Sequence, residues 1–170
     1  MKLEDRIRDI PDFPKKGIIF KDITPLLADA EAFKHAVDLM TEHYSDKGIE
    51  VVIAIEARGF ILGAPIAYNL GAAFVPVRKA GKLPAELISA QYALEYGFDS
   101  IEMHADAHSP GQRVLIVDDL LATGGTMKAT IELVERLGGE VIGIAFLIEL
   151  TDLNGRRHLK DYQIMSLIQY

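Results

Sequence analysis

The chain has 170 residues, of which 49% are hydrophobic and 25% charged, the length and balance of one folded domain rather than a disordered segment. Its net charge of −7 argues against broad, nonspecific nucleic-acid binding, and no apolar run has the length of a membrane-crossing helix. With no cysteine, disulfides, thiolate metal sites and a thiol nucleophile are excluded.

Residues 1–6 carry mixed charge where a secretion signal would be apolar, so the cytoplasm is the default expectation. Leu3, Ile7 and Ile10 are spaced for one face of a short helix, which Pro11 and Pro14 would end. Residues 12–25 read as irregular, around an apolar centre at Ile18, Ile19 and Phe20. Asp29 has the chemistry of a helix N-cap. Behind it, Phe33, Val37, Met40 and Tyr44 repeat at helical spacing, and Gly48 follows as a stop.

Strands and helices then alternate. Residues 51–55 form a short apolar run, read as a buried strand. Residues 59–70 look helical, with a kink or a late start expected at Pro65. Residues 73–77 read as a second strand, with Pro76 marking its end. Residues 78–97 form a long polar segment with Gly81, Pro84 and Gly97, and a connection of that length is often a mobile functional loop. A third strand is expected over 114–117, and a helix through Met127, Ile131 and Val134 that closes at Gly138 and Gly139. A fourth strand is expected over 141–148 and a fifth over 163–168. This order predicts an α/β fold, a parallel sheet flanked by helices, with ligands beyond the carboxyl ends of the strands. No linker or internal repeat divides residues 1–170, so a single domain is expected.

Two features carry chemistry. From Ala57 to Ala85 there is no Asp or Glu, while Arg58, Arg78, Lys79 and Lys82 all fall there. A site for a small, highly charged anion accounts for this; so does a chance gap among solvated lysines, and charge alone does not separate the two. The second feature is more specific. The apolar run 114–117 leads into Asp118 and Asp119, then Leu120, Leu121, Ala122, Thr123, Gly124, Gly125 and Thr126. The glycines allow close backbone approach to an anion, the helix start aims free N–H groups at it, and Thr123 and Thr126 add hydroxyl donors. The aspartates repel a phosphate but accept hydrogen bonds from sugar hydroxyls. An acidic pair beside a phosphate cradle describes a ribose phosphate. The segment lacks the lysine of a nucleotide-triphosphatase loop and the spacing of a dinucleotide fingerprint.

This string resembles the phosphoribosyl-diphosphate signature of the type I phosphoribosyltransferases, in the form of their adenine-specific members. Other segments extend the resemblance in order: Gly17 to Ile23 resembles the base-binding hood, Glu56 to Phe60 the pyrophosphate-binding turn, Val77 to Pro84 the start of the flexible catalytic loop, and Tyr92 to Gly97 its end. The resemblance implies a type I phosphoribosyltransferase fold with a small N-terminal hood over 1–28 and a flexible catalytic loop over 78–97. It implies transfer of a phosphoribosyl group from phosphoribosyl diphosphate to adenine, giving AMP and diphosphate, by a magnesium-assisted cytoplasmic homodimer acting in purine salvage.

On the same ground, Ala122, Thr123, Gly124, Gly125 and Thr126 would hold the 5-phosphate, and Asp118 and Asp119 the ribose hydroxyls. Arg58, Arg78, Lys79 and Lys82 would bind the pyrophosphate, and the Glu56–Ala57 peptide is often cis in relatives. Ile19, Phe20 and Lys21 would bind adenine, Phe20 by stacking and its neighbours through backbone groups. Glu95 would be the catalytic acid–base group, a role that Ala122 cannot fill although relatives using oxopurines place Asp there. No direct metal ligand is assigned; the five histidines, at 35, 43, 104, 108 and 158, lack metal-ligand spacing. Two other readings stay open: a transferase for guanine, hypoxanthine or xanthine, and a sensor domain without turnover, although the acidic chain lacks the basic DNA-binding segment such a sensor needs.

Overall fold

A computed structural model describes all 170 residues, which group into two units, Met1–Leu39 and Met40–Tyr170. The first opens with a 3-10 turn, Leu3–Arg6, and not the short helix expected through Ile10. β1 (Arg8–Pro11) pairs antiparallel with β2 (Ile19–Asp22), Ile10 opposite Phe20. Of the segment read as irregular, residues 19–22 are strand and a helix starts at Thr24, while residues 12–18 form the turn of the hairpin. Its ends are tied by ion pairs, Lys21 Nζ to Asp9 Oδ1 at 2.7 Å and Arg8 Nη2 to Asp22 Oδ2 at 3.0 Å. α1 (Thr24–Ala28) begins with Pro25 in its first turn, where proline's missing N–H costs nothing. α2 (Ala30–Tyr44) follows, and Asp29 caps it by accepting from the N–H groups of Glu31 and Ala32, both at 3.1 Å.

The second unit is built on a seven-stranded sheet. Its strands are β3 (Val51–Ile55), β4 (Ala73–Lys79), β5 (Leu87–Ala93), β6 (Phe98–His104), β7 (Arg113–Leu121), β8 (Glu140–Glu149) and β9 (Ile164–Gln169). Their order across the sheet is β5-β6-β4-β3-β7-β8-β9. Strands β4, β3, β7, β8 and β9 are parallel. β6 runs antiparallel to β4 and to β5, so a hairpin forms one edge.

Every residue of β3 is buried, as its unbroken apolar run requires for a strand covered on both faces. α3 (Arg58–Leu70) lies on one face. There Gly63 approaches Ala54 so closely that a methyl group on it would sit 2.6 Å from the alanine Cβ. α4 (Gly125–Arg136) lies on the other face, where Met127, Ile131 and Val134 join a core with Ile53, Ile116 and Phe146. No helix is long and apolar enough to cross a membrane.

Four elements depart from the expected pattern. α3 runs through Pro65 with no late start. β4 continues past Pro76 to Lys79. The Val77 carbonyl accepts from the Glu56 N–H at 2.9 Å, so Val77 faces β3 and the nitrogen of Pro76 faces the other side. β6 pairs there only with Arg78 and Lys79, so no ladder bond is lost. The 78–97 segment is not one continuous loop: Arg78 and Lys79 end β4, and residues 87–93 are β5, which pairs with β6 from Leu87↔His104 to Ala93↔Phe98. β7 runs on to Leu121 and includes both aspartates. The chain leaves β3 for β4 on one side and later returns as β7 on the other. The crevice beyond the carboxyl ends of β3 and β7 is therefore the topological switch point, the place where such sheets bind ligands.

Candidate active site

Both chemical segments end at this switch point. β7 delivers Asp118 and Asp119, and residues 122–124 turn sharply into α4. Gly124 has φ +88°, a left-handed backbone that glycine adopts without a Cβ clash. The turn encloses a pocket of about 90 Å³ lined by Asp118, Thr123, Gly124, Gly125 and Thr126. The N–H groups of the first turn of α4 have no acceptor within the helix, so the turn can receive a small anion.

β3 delivers the second half. It ends in Glu56, Ala57 and Arg58, with a cis peptide between Glu56 and Ala57. A larger pocket of about 430 Å³ lies here, lined by Arg58, Lys79, Lys82 and Tyr92 together with Asp118, Asp119 and Thr126. Because Asp118 and Thr126 line both pockets, the two share one wall.

Each of the four cations faces a carboxylate from outside the acid-free stretch. Lys82 Nζ donates to Glu56 Oε2 at 2.6 Å, and Arg78 Nε lies 3.6 Å from Glu56 Oε1. The Lys79 N–H donates to Glu56 Oε1 at 2.6 Å, while Lys79 Nζ lies 3.6 Å from Asp99 Oδ2. Arg58 Nε donates to Asp119 Oδ2. Burial works against the charged form of Glu56, but the hydrogen bonds from Lys82 and Lys79 and the charges of Lys82 and Arg78 outweigh it and hold its carboxyl below the usual range. The four cations of the acid-free stretch thus each have a carboxylate partner.

Burial pushes Asp118 well above the ordinary carboxylate range, and the neighbouring charge of Asp119 adds to this; the Asp119 N–H and Arg58 pull the other way. A carboxyl raised on folding favours the native state at low pH and loses that contribution as pH rises through its folded value. Asp118→Asn is therefore expected to raise the melting temperature of the ligand-free protein at neutral pH. It should also flatten the loss of stability with rising pH above the ordinary carboxylate range. The amide oxygen still accepts from the Asp119 N–H, now at 2.8 Å. Thermal melts across pH check this, and an unchanged or lower melting temperature at neutral pH would contradict it.

The other residues singled out from sequence fall elsewhere. Glu95 is exposed at the tip of the β5–β6 hairpin, closed by Leu94 N–H to Gly97 O at 2.9 Å, and is not part of either lining. Arg78 also lies outside both linings, and its Nε is buried without a hydrogen-bond partner. Ile19, Phe20 and Lys21 lie together on β2 in the first unit. Phe13 meets the Phe20 ring edge-on, with centroids 5.2 Å apart, and so orients it.

Sequence reading missed Glu56 as the hub for three basic residues, Asp99 as the partner of Lys79, and Gly155. A methyl group on Gly155 would sit 2.5 Å from the Ala122 carbonyl oxygen. The position of Glu56, immediately before the acid-free stretch, was the one available signal; nothing in sequence marked the other two.

Residues 23–169 match the phosphoribosyl transferase domain family. The chain is 61% identical to the adenine phosphoribosyltransferase of Clostridium novyi, over all of this chain (100%) and 99% of the relative. Among solved structures, it superposes on adenine phosphoribosyltransferase from Thermoanaerobacter pseudethanolicus with TM-score 0.96 and 58% identity, covering 99% of this chain and 98% of the other. The Saccharomyces cerevisiae adenine phosphoribosyltransferase, complexed with an imino-altritol bisphosphate and adenine, superposes with TM-score 0.93 and 38% identity, covering 97% of this chain and 96% of the other.

Proposed function

Since the chain belongs to the phosphoribosyl transferase family, among its adenine-using members, we propose that the two joined pockets divide the reaction between them. The protein is a pentosyltransferase that joins adenine to 5-phosphoribosyl 1-diphosphate and releases AMP and diphosphate, a purine-salvage step. In this reading residues 122–126 hold the 5-phosphate, Asp118 and Asp119 accept from the ribose hydroxyls, and Arg58, Lys79 and Lys82 receive the diphosphate with Arg78 behind them. Phe20 stacks on adenine, and the backbone of Ile19 and Lys21 pairs with its edge. The observation that carries the reading is the carboxylate pair of β7, set between an anion cradle and a cation cluster.

The chemistry follows from the charges. The bond from ribose C1 to the diphosphate oxygen breaks with its electron pair going to the diphosphate. The purine nitrogen then bonds to C1 and gives up its proton, which Glu95 accepts when the hairpin tip reaches the base. Negative charge on the diphosphate grows as that bond breaks, so cations fixed beside it stabilise the transition state more than the bound donor. The cations already sit on Glu56, Asp99 and Asp119, so little reorganisation is needed once the diphosphate arrives.

No three His, Asp or Glu side chains converge on a metal-sized site. The donor set fits magnesium held mainly by diphosphate oxygens, as this ion often is, with the carboxylates of Asp118 and Asp119 close by. When bound, the metal offsets diphosphate charge. Two chains are proposed to form a homodimer, a reading supported by Ile61 and Tyr68, 41% and 86% exposed and two helical turns apart on α3. A one-chain mass by light scattering would contradict it.

The test of function is to supply phosphoribosyl diphosphate, magnesium and one purine at a time. AMP from adenine, with far less nucleotide from guanine, hypoxanthine or xanthine, is the expected result. Preference for an oxopurine would overturn the base assignment, and no nucleotide from any base would overturn the reaction.

A further inference from the structure

Glu149, the last residue of β8, is a buried carboxylate, 5% exposed, that belongs to neither pocket. Both of its oxygens are engaged. Arg156 Nε donates to Oε1 and Arg156 Nη2 to Oε2, each at 2.7 Å. Ser166 Oγ donates to Oε2 at 2.7 Å, and Gln169 Nε2 lies 3.4 Å from the same oxygen. The Arg156 contact holds the carboxyl below its ordinary range against the opposing effect of burial. A two-point arginine–carboxylate contact fixes orientation as well as distance.

What this pair holds in place is the wall of the phosphate cradle. Arg156 directly follows Gly155, which is buried. A methyl group on Gly155 would meet the Ala122 carbonyl oxygen at 2.5 Å and Leu121 Cδ1 at 2.9 Å. One on Gly124 would meet the Gly155 carbonyl oxygen at 2.7 Å. The turn before Arg156 therefore packs backbone to backbone on the turn that forms the cradle. Glu149 also reaches the cradle through its own strand: it lies opposite Leu121 in the β7–β8 register, and the Leu150 N–H donates to the Leu121 carbonyl at 3.0 Å. Glu149 thus braces residues 121–124 from two directions, by its backbone in the ladder and by its carboxylate through Arg156 and the turn at Gly155.

We propose that Glu149 and Arg156 are positioning residues for the 5-phosphate, setting the backbone of residues 122–124 without touching the ligand. This rests on the reading that residues 122–126 hold that phosphate.

Arg156→Ala would strand a buried carboxylate, so two milder changes serve. Arg156→Lys keeps the charge but loses the two-point contact, and the double variant Glu149→Gln with Arg156→Gln removes both charges. In variants shown to be folded by circular dichroism, calorimetry measures the affinity for ribose 5-phosphate, AMP and pyrophosphate. Ribose 5-phosphate and AMP are expected to bind roughly tenfold more weakly, the scale of coupling between neighbouring groups, with pyrophosphate unchanged. The KM for phosphoribosyl diphosphate should rise more than kcat falls.

Unchanged ribose 5-phosphate affinity in both variants overturns the proposal, and so does equal weakening of pyrophosphate, which marks a general structural loss. Thr123→Val separates the two readings. If it weakens ribose 5-phosphate while the brace variants do not, the positioning role alone fails. If it too leaves ribose 5-phosphate binding unchanged, the phosphate assignment fails and the brace with it.

Discussion

Replacing Glu95 with Gln is expected to lower kcat by about 10²–10⁴-fold, the usual contribution of a positioned general acid–base group, while leaving the melting temperature almost unchanged. The contrast follows from where the residue sits. Glu95 is exposed at the hairpin tip, outside the lining of both pockets, and exposed substitutions usually shift stability by no more than about 0.5 kcal/mol. Glutamine keeps the size and polarity of the side chain but cannot take the proton that adenine must lose. The substitution therefore separates proton transfer from packing. Steady-state rates with saturating adenine and donor, set beside thermal melts, check it. A variant with normal turnover would remove Glu95 from the chemistry and leave the proton to another acceptor.

Arg58→Ala is expected to lower kcat by about 10²–10³-fold, the loss measured elsewhere when one fixed donor is taken from a developing negative charge. Arg58 is the cation that reaches from the β3 turn to Asp119 and lines the larger pocket. Its ion pair joins a half-exposed arginine, 45% by side chain, to a mostly buried Asp119, 10%, so Arg58→Ala also leaves a buried carboxylate without this partner and lowers the melting temperature. The barrier change, about 2.7–4 kcal/mol, is read from kcat in protein shown to be folded, which keeps it apart from that loss of stability. Loss of Arg58 also removes a charge that favours ionisation of Asp118. The Asp118 carboxyl should move further upward, and ribose binding should become more sensitive to acid. Arg58→Lys keeps a charge without the planar fork and should recover part of the rate. A normal kcat in Arg58→Ala would contradict its role at the diphosphate.

How much of this was legible in sequence depended on whether an element was held locally. β3 was read to its ends because a strand buried on both faces must be apolar throughout. The Asp29 cap was read because its acceptors lie two and three residues on. The β5–β6 hairpin stayed hidden because Gly81, Pro84 and Gly97 mark the segment as a loop, although Ile88, Ala90 and Tyr92 on β5 and Ile101 and Met103 on β6 alternate toward the core. The first hairpin was masked in the same way by prolines and lysines around its turn. β7 was ended too early because Asp118 and Asp119 look like strand breakers. Both lie within β7, Asp118 opposite Phe146, and the Asp119 side chain pairs with Arg58. At the site, the anion cradle was visible as one continuous segment. The counter-ions were not, because Glu56 meets Lys82 across 26 positions and Arg58 meets Asp119 across 61. Gly155 showed nothing in sequence, since its importance is only its distance from Ala122.

The most direct measurement is a crystal structure of the protein with ribose 5-phosphate and pyrophosphate bound together. The phosphate is predicted within hydrogen-bond reach of the N–H groups and hydroxyls of residues 122–126, with the ribose hydroxyls on Asp118 and Asp119 and the pyrophosphate against Arg58, Lys79 and Lys82. A sugar phosphate found elsewhere, with the turn at Gly124 packed shut by protein side chains, would contradict the assignment of this pocket.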